Sequence, residues 1–227
     1  MRSLSYLRVP LLIILLIAGA ALSACNIASA KVSPLPDPAV DDSKATGGQK
    51  SAVLAGGCFW GIQLVFEHVK GVVSVKAGYS GGSANTAQYE TVSTGRTGHA
   101  ESVQIVYDPS QITYGQLLKV FFAVAHNPTE LNYQGPDEGT QYRSAIFYAD
   151  PNQQRIAEAY IHQLTEARSF SHKIVTQVVP LKGFYAAEAY HQDYAVHNPQ
   201  NMYIVINDLP KLDQLRKRLP DLYTAKR

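Results

Sequence analysis

The feature that most constrains how this chain folds is the change of apolar period at Gly56 and Gly57. "SAVLAGG", Ser51 to Gly57, is a short apolar run of strand type. "CFWGIQLVFEHVKG" then places apolar residues at Phe59, Ile62, Val65, Phe66 and Val69, a helical spacing that Gly71 stops. A strand fed through two glycines straight into a helix buries both apolar faces only in a layered sheet-and-helix domain. The rest of the chain repeats the theme. "VVSVKAGYSGG" reads as a strand entering a glycine turn, and "HAESVQIVYDP" alternates so that Glu101, Val103, Ile105 and Tyr107 share one face. "TYGQLLKVFFAVAH" is a helix with Thr113 as N-cap, and "DPNQQRIAEAYIHQLTEA" is one with Pro151 in its first turn. "YRSAIFY" and "KIVTQVVPL" read as strands and "LPKLDQLRKRL" as an amphipathic C-terminal helix. The connections vary too much for a doubly wound sheet. The expectation is a single two-layer α/β (α+β) domain over residues 51–227, without internal repeats.

The chain before Ser51 is of another kind. Arg2 and Arg8 flank the start of an apolar run from Val9 to Leu22, the order of a secretory signal, and about 14 residues is short for a membrane span. The run leads into "LSAC", Leu22 to Cys25, which resembles the lipobox of bacterial lipoproteins, whose cysteine is lipidated and becomes the first residue. By that resemblance residues 1–24 are a signal peptide. Cys25 would then anchor the protein by lipid to a membrane of the cell envelope, facing the periplasm or exterior. Residues 25–50, rich in Pro, Ser, Ala and Gly with no apolar period, read as the lipidated N-terminus and a flexible tether. With Arg2 and Arg8 set aside, the 20 basic residues fall to 18 against 18 acidic ones, a balance that gives no reason to expect nucleic acid as a partner.

Cys58 stands between Gly57 and the aromatic pair Phe59–Trp60, at the start of the expected helix. Helix N–H groups and dipole favour an anion, so this position predicts a thiolate formed more easily than in a free cysteine. Phe59 and Trp60 supply an apolar wall suited to a small group such as a methyl on sulfur. Two glycine-punctuated loops carry further polar residues: Tyr89, His99 and Glu101 in "YETVSTGRTGHAE", and Asp137 and Tyr142 in "HNPTELNYQGPDEGTQYRS". Spacing alone reads Glu101 as an exposed edge-strand glutamate, but desolvation at the mouth of an apolar strand would keep it protonated and make it a general acid. His99 and His126 read as hydrogen-bonded loop histidines. No His or Cys pair has metal-ligand spacing, so no metal site is expected.

Six stretches occur in the order and spacing of one family: "GGCFWG", "GYSGG", "TGHAE", "VYDP", "QGPDEGTQYRSAIFY" and "YHQDY". Together, from about Ala52 to Asn207, they resemble the A-class peptide methionine sulfoxide reductases. The resemblance implies a ferredoxin-like two-layer sandwich and reduction of methionine (S)-sulfoxide, free and in oxidised proteins, to methionine. It implies Cys58 as the nucleophile that becomes a sulfenic acid, Glu101 as the acid, and the Tyr89 and Tyr142 hydroxyls as holders of the sulfoxide oxygen. Phe59 and Trp60 match the methyl cage, Asp137 the acidic residue that orders the polar side, and His191 and Tyr194 further lining, against a reading of the last two as packing residues. No bound cofactor is implied. Many relatives resolve the sulfenic acid with C-terminal cysteines; this chain has none after Cys58, and Ser93 stands where some carry another. An external thiol, a thioredoxin-like protein or a small thiol, is therefore the expected reductant. A different thiol enzyme, a peroxidase or a hydrolase pairing Cys58 with His99 or His191, and a non-catalytic lipoprotein remain as other classes.

Overall fold

The computed structural model describes residues 35–225, so Cys25 and the signal and lipidation reading fall outside the described residues. Strand β1 (Lys50–Ala55) runs through the Gly56–Gly57 turn into helix α1 (Phe59–Glu67), and β2 (Val72–Ser80) follows. After the one-turn helix α2 (Tyr89–Val92), β3 (Ala100–Tyr107) pairs antiparallel with both β1 and β2. Helix α3 (Tyr114–Val120) widens into a π-helical stretch, Phe121–Ala125. A long loop carries the two-residue strands β4 (Tyr133–Gln134) and β5 (Asp137–Glu138) and leads to β6 (Ala145–Tyr148), antiparallel to β1. Helix α4 (Pro151–Glu166) and strands β7 (Gln177–Pro180) and β8 (Phe184–Ala186) come next, then α5 (Tyr194–His197) and α6 (Leu209–Arg218).

The sheet order is β7-β6-β1-β3-β2-β8. Its middle four strands, β6-β1-β3-β2, joined in the chain order β-α-β-β-α-β, form the ferredoxin-like split βαβ arrangement expected from the resemblance. β7 extends it in parallel to β6 and β8 antiparallel to β2. Strand alternation then divides the core. Leu54, Val103, Ile105, Tyr107 and Ile146 face the helices, against Ile62 and Phe66 of α1, Leu117 of α3 and Ile156 of α4. Val53, Ala55, Ala145 and Phe147 point the other way into a smaller cluster under Val179, Leu181 and Phe184. Glu101 has the parity of Val103 and Ile105 and so lies on the helical side, in a central strand and not at an edge.

The helix starts follow from local chemistry. Thr113 closes a capping box with Gln116, and the Asp150 carboxylate accepts from the Gln153 N–H at 2.9 Å ahead of Pro151. The strand expected over "KIVTQVVPL" is shorter, and β8, α2 and α5 were not anticipated because three or four residues display no period.

One expectation is corrected. The stretch read as a tether is docked from Leu35 onward, the first described residue. Leu35 is buried, the Tyr160 hydroxyl donates to the Pro36 carbonyl at 2.9 Å, and Gln163 exchanges hydrogen bonds with Ala39 and Asp37. Asp41 accepts from the Thr113 hydroxyl and, at 2.8 Å, from the Gly115 N–H; Asp42 accepts from Asn152 at 2.6 Å. The aspartates of "PDPAVDD", polar enough to resemble linker, are aimed at donors on α3 and α4, and composition does not report aim.

Candidate active site

Gly57 adopts φ +99°, and a Cβ there would lie 2.8 Å from the Gln134 side chain, so the loop after α3 closes directly over the turn that presents Cys58. Cys58 is the N-cap of α1, as the sequence predicts. It is only 8% exposed. The expected ease of ionisation does not follow: the thiol pKa is pushed well above its ordinary value. Burial is the largest cause, and the carboxylates of Glu101, Asp208 and Asp137 add to it. The Trp60 N–H lowers it, but no side-chain cap hydrogen bond forms at this helix start. The helix-end effect is real, and desolvation outweighs it.

Glu101 is 2% exposed, and its Oε2 accepts from the Phe59 N–H at 3.1 Å, which ties the β3 carboxyl to the first turn of α1. Burial raises its pKa to about 8; the Phe59 N–H pulls it down and Asp137 pushes it up. At neutral pH the carboxyl therefore carries its proton beside Cys58. The edge-strand reading of Glu101 is overturned, because a central strand under a helix leaves it no solvent.

The aromatic residues form a nested group. Trp60 lies flat on Tyr194, with centroids 3.9 Å apart and planes at 12°, and meets Tyr203 edge-on at 5.8 Å. Its indole N–H donates to His191 Nδ1 at 3.2 Å. That bond leaves the proton of the neutral imidazole on Nε2, a buried atom with no protein partner, and burial lowers the His191 pKa, which keeps the ring neutral. His191 also packs on Phe59 at 5.1 Å and on Tyr89 at 4.4 Å. Phe59 is 1% exposed and Trp60 partly so, so Trp60 presents the accessible wall while Phe59 backs it.

On the polar side, burial raises the pKa of Tyr142 and Tyr89, and both then respond to the charges of Glu101 and Cys58, which places the two phenols around the thiol and the acid. Asp137 accepts a short hydrogen bond from the Tyr203 hydroxyl. Burial raises the Asp137 pKa, against the pull of Tyr203 and Lys211. Glu188 accepts from the Tyr79 hydroxyl and from the Tyr89 N–H, each at 2.9 Å, and so fixes α2. Sequence reasoning missed Tyr203 and Glu188, which sit in stretches without a motif; the neighbouring "YHQDY" was the only pointer to that part of the chain. His99 and His126 are hydrogen-bonded as read. Gly82 N–H donates to His99 Nδ1, whose Nε2 faces the Ser83 carbonyl, and His126 bridges the Phe121 carbonyl and the Ser144 hydroxyl. With both nitrogens of His99 engaged and His191 Nδ1 bound to Trp60, neither offers Cys58 the free base a hydrolase needs.

Comparison with known proteins places the chain. The family model for peptide methionine sulfoxide reductase matches residues 50–222. Peptide methionine sulfoxide reductase MsrA 2 of Mesorhizobium japonicum is 58% identical, covering 82% of this chain and 95% of that protein. Its namesake in Synechocystis is 49% identical, covering 89% and 98%. Among solved structures, Mxr1 of Saccharomyces cerevisiae in its reduced form matches with TM-score 0.61 at 34% identity, over 72% of this chain and 92% of that one. Methionine sulfoxide reductase A of Corynebacterium diphtheriae matches with TM-score 0.57 at 38% identity, over 74% and 84%.

Proposed function

Because the chain belongs to the peptide methionine sulfoxide reductase family, we propose that it reduces methionine (S)-sulfoxide, free and in oxidised proteins, through a sulfenic acid on Cys58 that an external thiol returns to the thiol. The observation that carries the chemistry is Glu101, protonated at neutral pH and bonded to the same helix turn whose N-cap is Cys58. A sulfoxide seated with its methyl on Trp60 directs its oxygen toward Glu101, Tyr89 and Tyr142. The two hydroxyls support the charge growing on that oxygen while Glu101 delivers its proton. The carboxylate so formed takes the proton of the Cys58 thiol as sulfur attacks sulfur. The substrate S–O bond breaks, the oxygen ends on Cys58 as S–OH, and the thioether leaves: one sulfoxide and one thiol give one methionine and one sulfenic acid. This order of proton transfers reconciles a protonated resting thiol with a thiolate nucleophile. A first external thiol then forms a mixed disulfide with loss of water, and a second restores Cys58. No bound cofactor enters.

Reductant-driven turnover of the separated S and R sulfoxides of a blocked methionine tests the reading, with the S epimer alone consumed. Without reductant, the Cys25→Ser chain, left with one thiol, should yield about one methionine per enzyme and a dimedone adduct on Cys58. A yield near two would overturn the one-thiol cycle. The apolar run and "LSAC" support repair at the cell envelope from a lipid anchor on Cys25, and the lack of a cysteine after Cys58 supports a thioredoxin-like protein as reductant. Membrane fractions should hold the wild type, and Cys25→Ser should release it or leave it unprocessed.

A further inference from the structure

The two tyrosines assigned to the sulfoxide oxygen stand on short elements, Tyr89 on the one-turn helix α2 and Tyr142 in the 3₁₀ turn Thr140–Tyr142. A hydroxyl supports growing charge only from the right place, and a displacement of about 1 Å costs about a hundredfold in rate. Elements of three or four residues fix little by themselves. The side chains on either side of Tyr142 supply what the backbone lacks. The Thr140 hydroxyl donates to the Gly95 carbonyl at 2.6 Å, and the Gln141 amide to the Ser93 carbonyl at 3.4 Å. The Arg143 guanidinium donates to the carbonyls of Gly98 at 2.8 Å, Thr140 at 2.9 Å and His99 at 3.0 Å. Three of the four side chains of "TQYR", Thr140 to Arg143, thus grip carbonyls of residues 93–99, and Tyr142 is the one left out.

Both ends of the gripped segment lead to the site. Ser93 is the C-cap of α2, and its N–H donates to the Tyr89 carbonyl at 2.8 Å. His99 directly precedes β3, two residues before Glu101. Glycines clear the path of the gripping side chains. A Cβ on Gly95 would lie 3.0 Å from Gln141 Oε1, and one on Gly81 would lie 2.7 Å from the Arg143 guanidinium. Gln141 is 5% exposed, yet its Oε1 has no hydrogen-bond partner. A buried amide with one long bond and an unpaired oxygen adds little to stability, so its value lies elsewhere. We propose that Thr140, Gln141 and Arg143 form a clamp that sets the Tyr142 hydroxyl against Tyr89 and Glu101, so that all three meet on one sulfoxide oxygen. The proposal deepens the functional reading above and rests on it. The three are positioning residues, acting through the hydroxyl they place and not by touching substrate.

Single-turnover reduction of the S-sulfoxide by the reduced full chain reads the clamp, with the melting temperature as the check on folding. Arg143→Lys keeps the charge and loses the fork, and Gln141→Met keeps the volume and loses the donor. Each should lower the single-turnover rate about tenfold, as a displacement of a fraction of an ångström does, while the half-saturating sulfoxide concentration moves less than about twofold. Thr140→Val, which keeps the shape and loses the hydroxyl, is the third variant, so a failure of one to fold leaves the others. The decisive arm repeats the substitutions in Tyr142→Phe, a chain with no hydroxyl to place. There each should cost less than about twofold further, because the clamp and the phenol act as one. The same loss in both backgrounds, or no loss in either, overturns the clamp and leaves these side chains to the fold alone. A Tyr142→Phe chain as fast as the wild type breaks the assignment of the phenol instead, and takes the clamp with it.

Discussion

Two helix starts in this protein receive opposite treatment. At α3, Thr113 closes a capping box with Gln116, and Asp41 accepts from both the Thr113 hydroxyl and the Gly115 N–H, so side-chain oxygens answer the Gly115 and Gln116 N–H groups. At α1, the N-cap is Cys58, no side-chain cap hydrogen bond forms, and the one carboxyl that accepts an N–H, Glu101, is held protonated by burial. One start is saturated and the other is left with unspent electrostatics. The difference teaches that the same backbone feature serves stability where polar groups are paired, and chemistry where burial withholds the pairing.

The largest effect that would break this contrast is at α1. Cys58→Ser should abolish sulfoxide reduction altogether, since a hydroxyl does not accept the oxygen, while melting within a few degrees of the wild type. Residual turnover above the uncatalysed rate would move the nucleophile elsewhere.

Next is Glu101→Gln, with a loss of about 100- to 10,000-fold in single-turnover rate. Wild-type activity should fall as pH rises through about 8, because only the protonated carboxyl donates, and the variant's residual activity should lack that limb. Stability falls with rising pH as well, over a window that starts lower. Between the ordinary value of 4.5 and about 8, the folded chain holds a proton that the unfolded chain releases, so wild-type stability declines as pH rises through that window. Glutamine removes the decline, and Glu101→Gln should melt higher than the wild type at pH 8 to 9. A lower melting temperature there would mean that the carboxyl is a structural anchor after all.

Trp60→Ala tests the apolar side of the same site. Loss of the ring that lies on Tyr194 and binds His191 should lower kcat/KM by about tenfold to a hundredfold, mostly through KM, as a lost apolar contact does. A loss confined to kcat would place Trp60 in the transition state and not in binding.

What was readable from the sequence divides along the same line. The strand–glycine–helix start, the parity that puts Glu101 with Val103, and the Thr113 cap are local patterns, and each appears where the pattern put it. The ionisation of Cys58 was misjudged because the helix end is local whereas the burial and the carboxylates of Asp208 and Asp137 arrive from distant segments. Tyr203 and Glu188 stayed hidden for the same reason: each acts through a partner more than 60 residues away. The strap of residues 35–50 failed in the other direction, since its aspartates have the composition of linker and the aim of caps.

That strap gives the smallest effect and the sharpest use of the comparison. If α3 is the saturated start, its polar groups supply stability alone, and removing one should leave the chemistry untouched. Asp41 accepts from two donors, the Thr113 hydroxyl and the Gly115 N–H, and Gly115 has no side chain to interfere, because a Cβ there would lie 2.5 Å from the Asp41 carboxyl. Asp41→Ala leaves both donors seeking water and weakens the dock of residues 35–42 against α3. The expected cost is about 1 to 2 kcal/mol, the range of a lost cap, which for a chain of this size lowers the melting temperature by roughly 2 to 8 °C. Reduction of the S-sulfoxide, measured well below that melting temperature, should stay within about twofold of the wild type. A fall in activity as large as that of Trp60→Ala would show that the strap and the thiol are coupled, and the two helix starts would then be one device and not two.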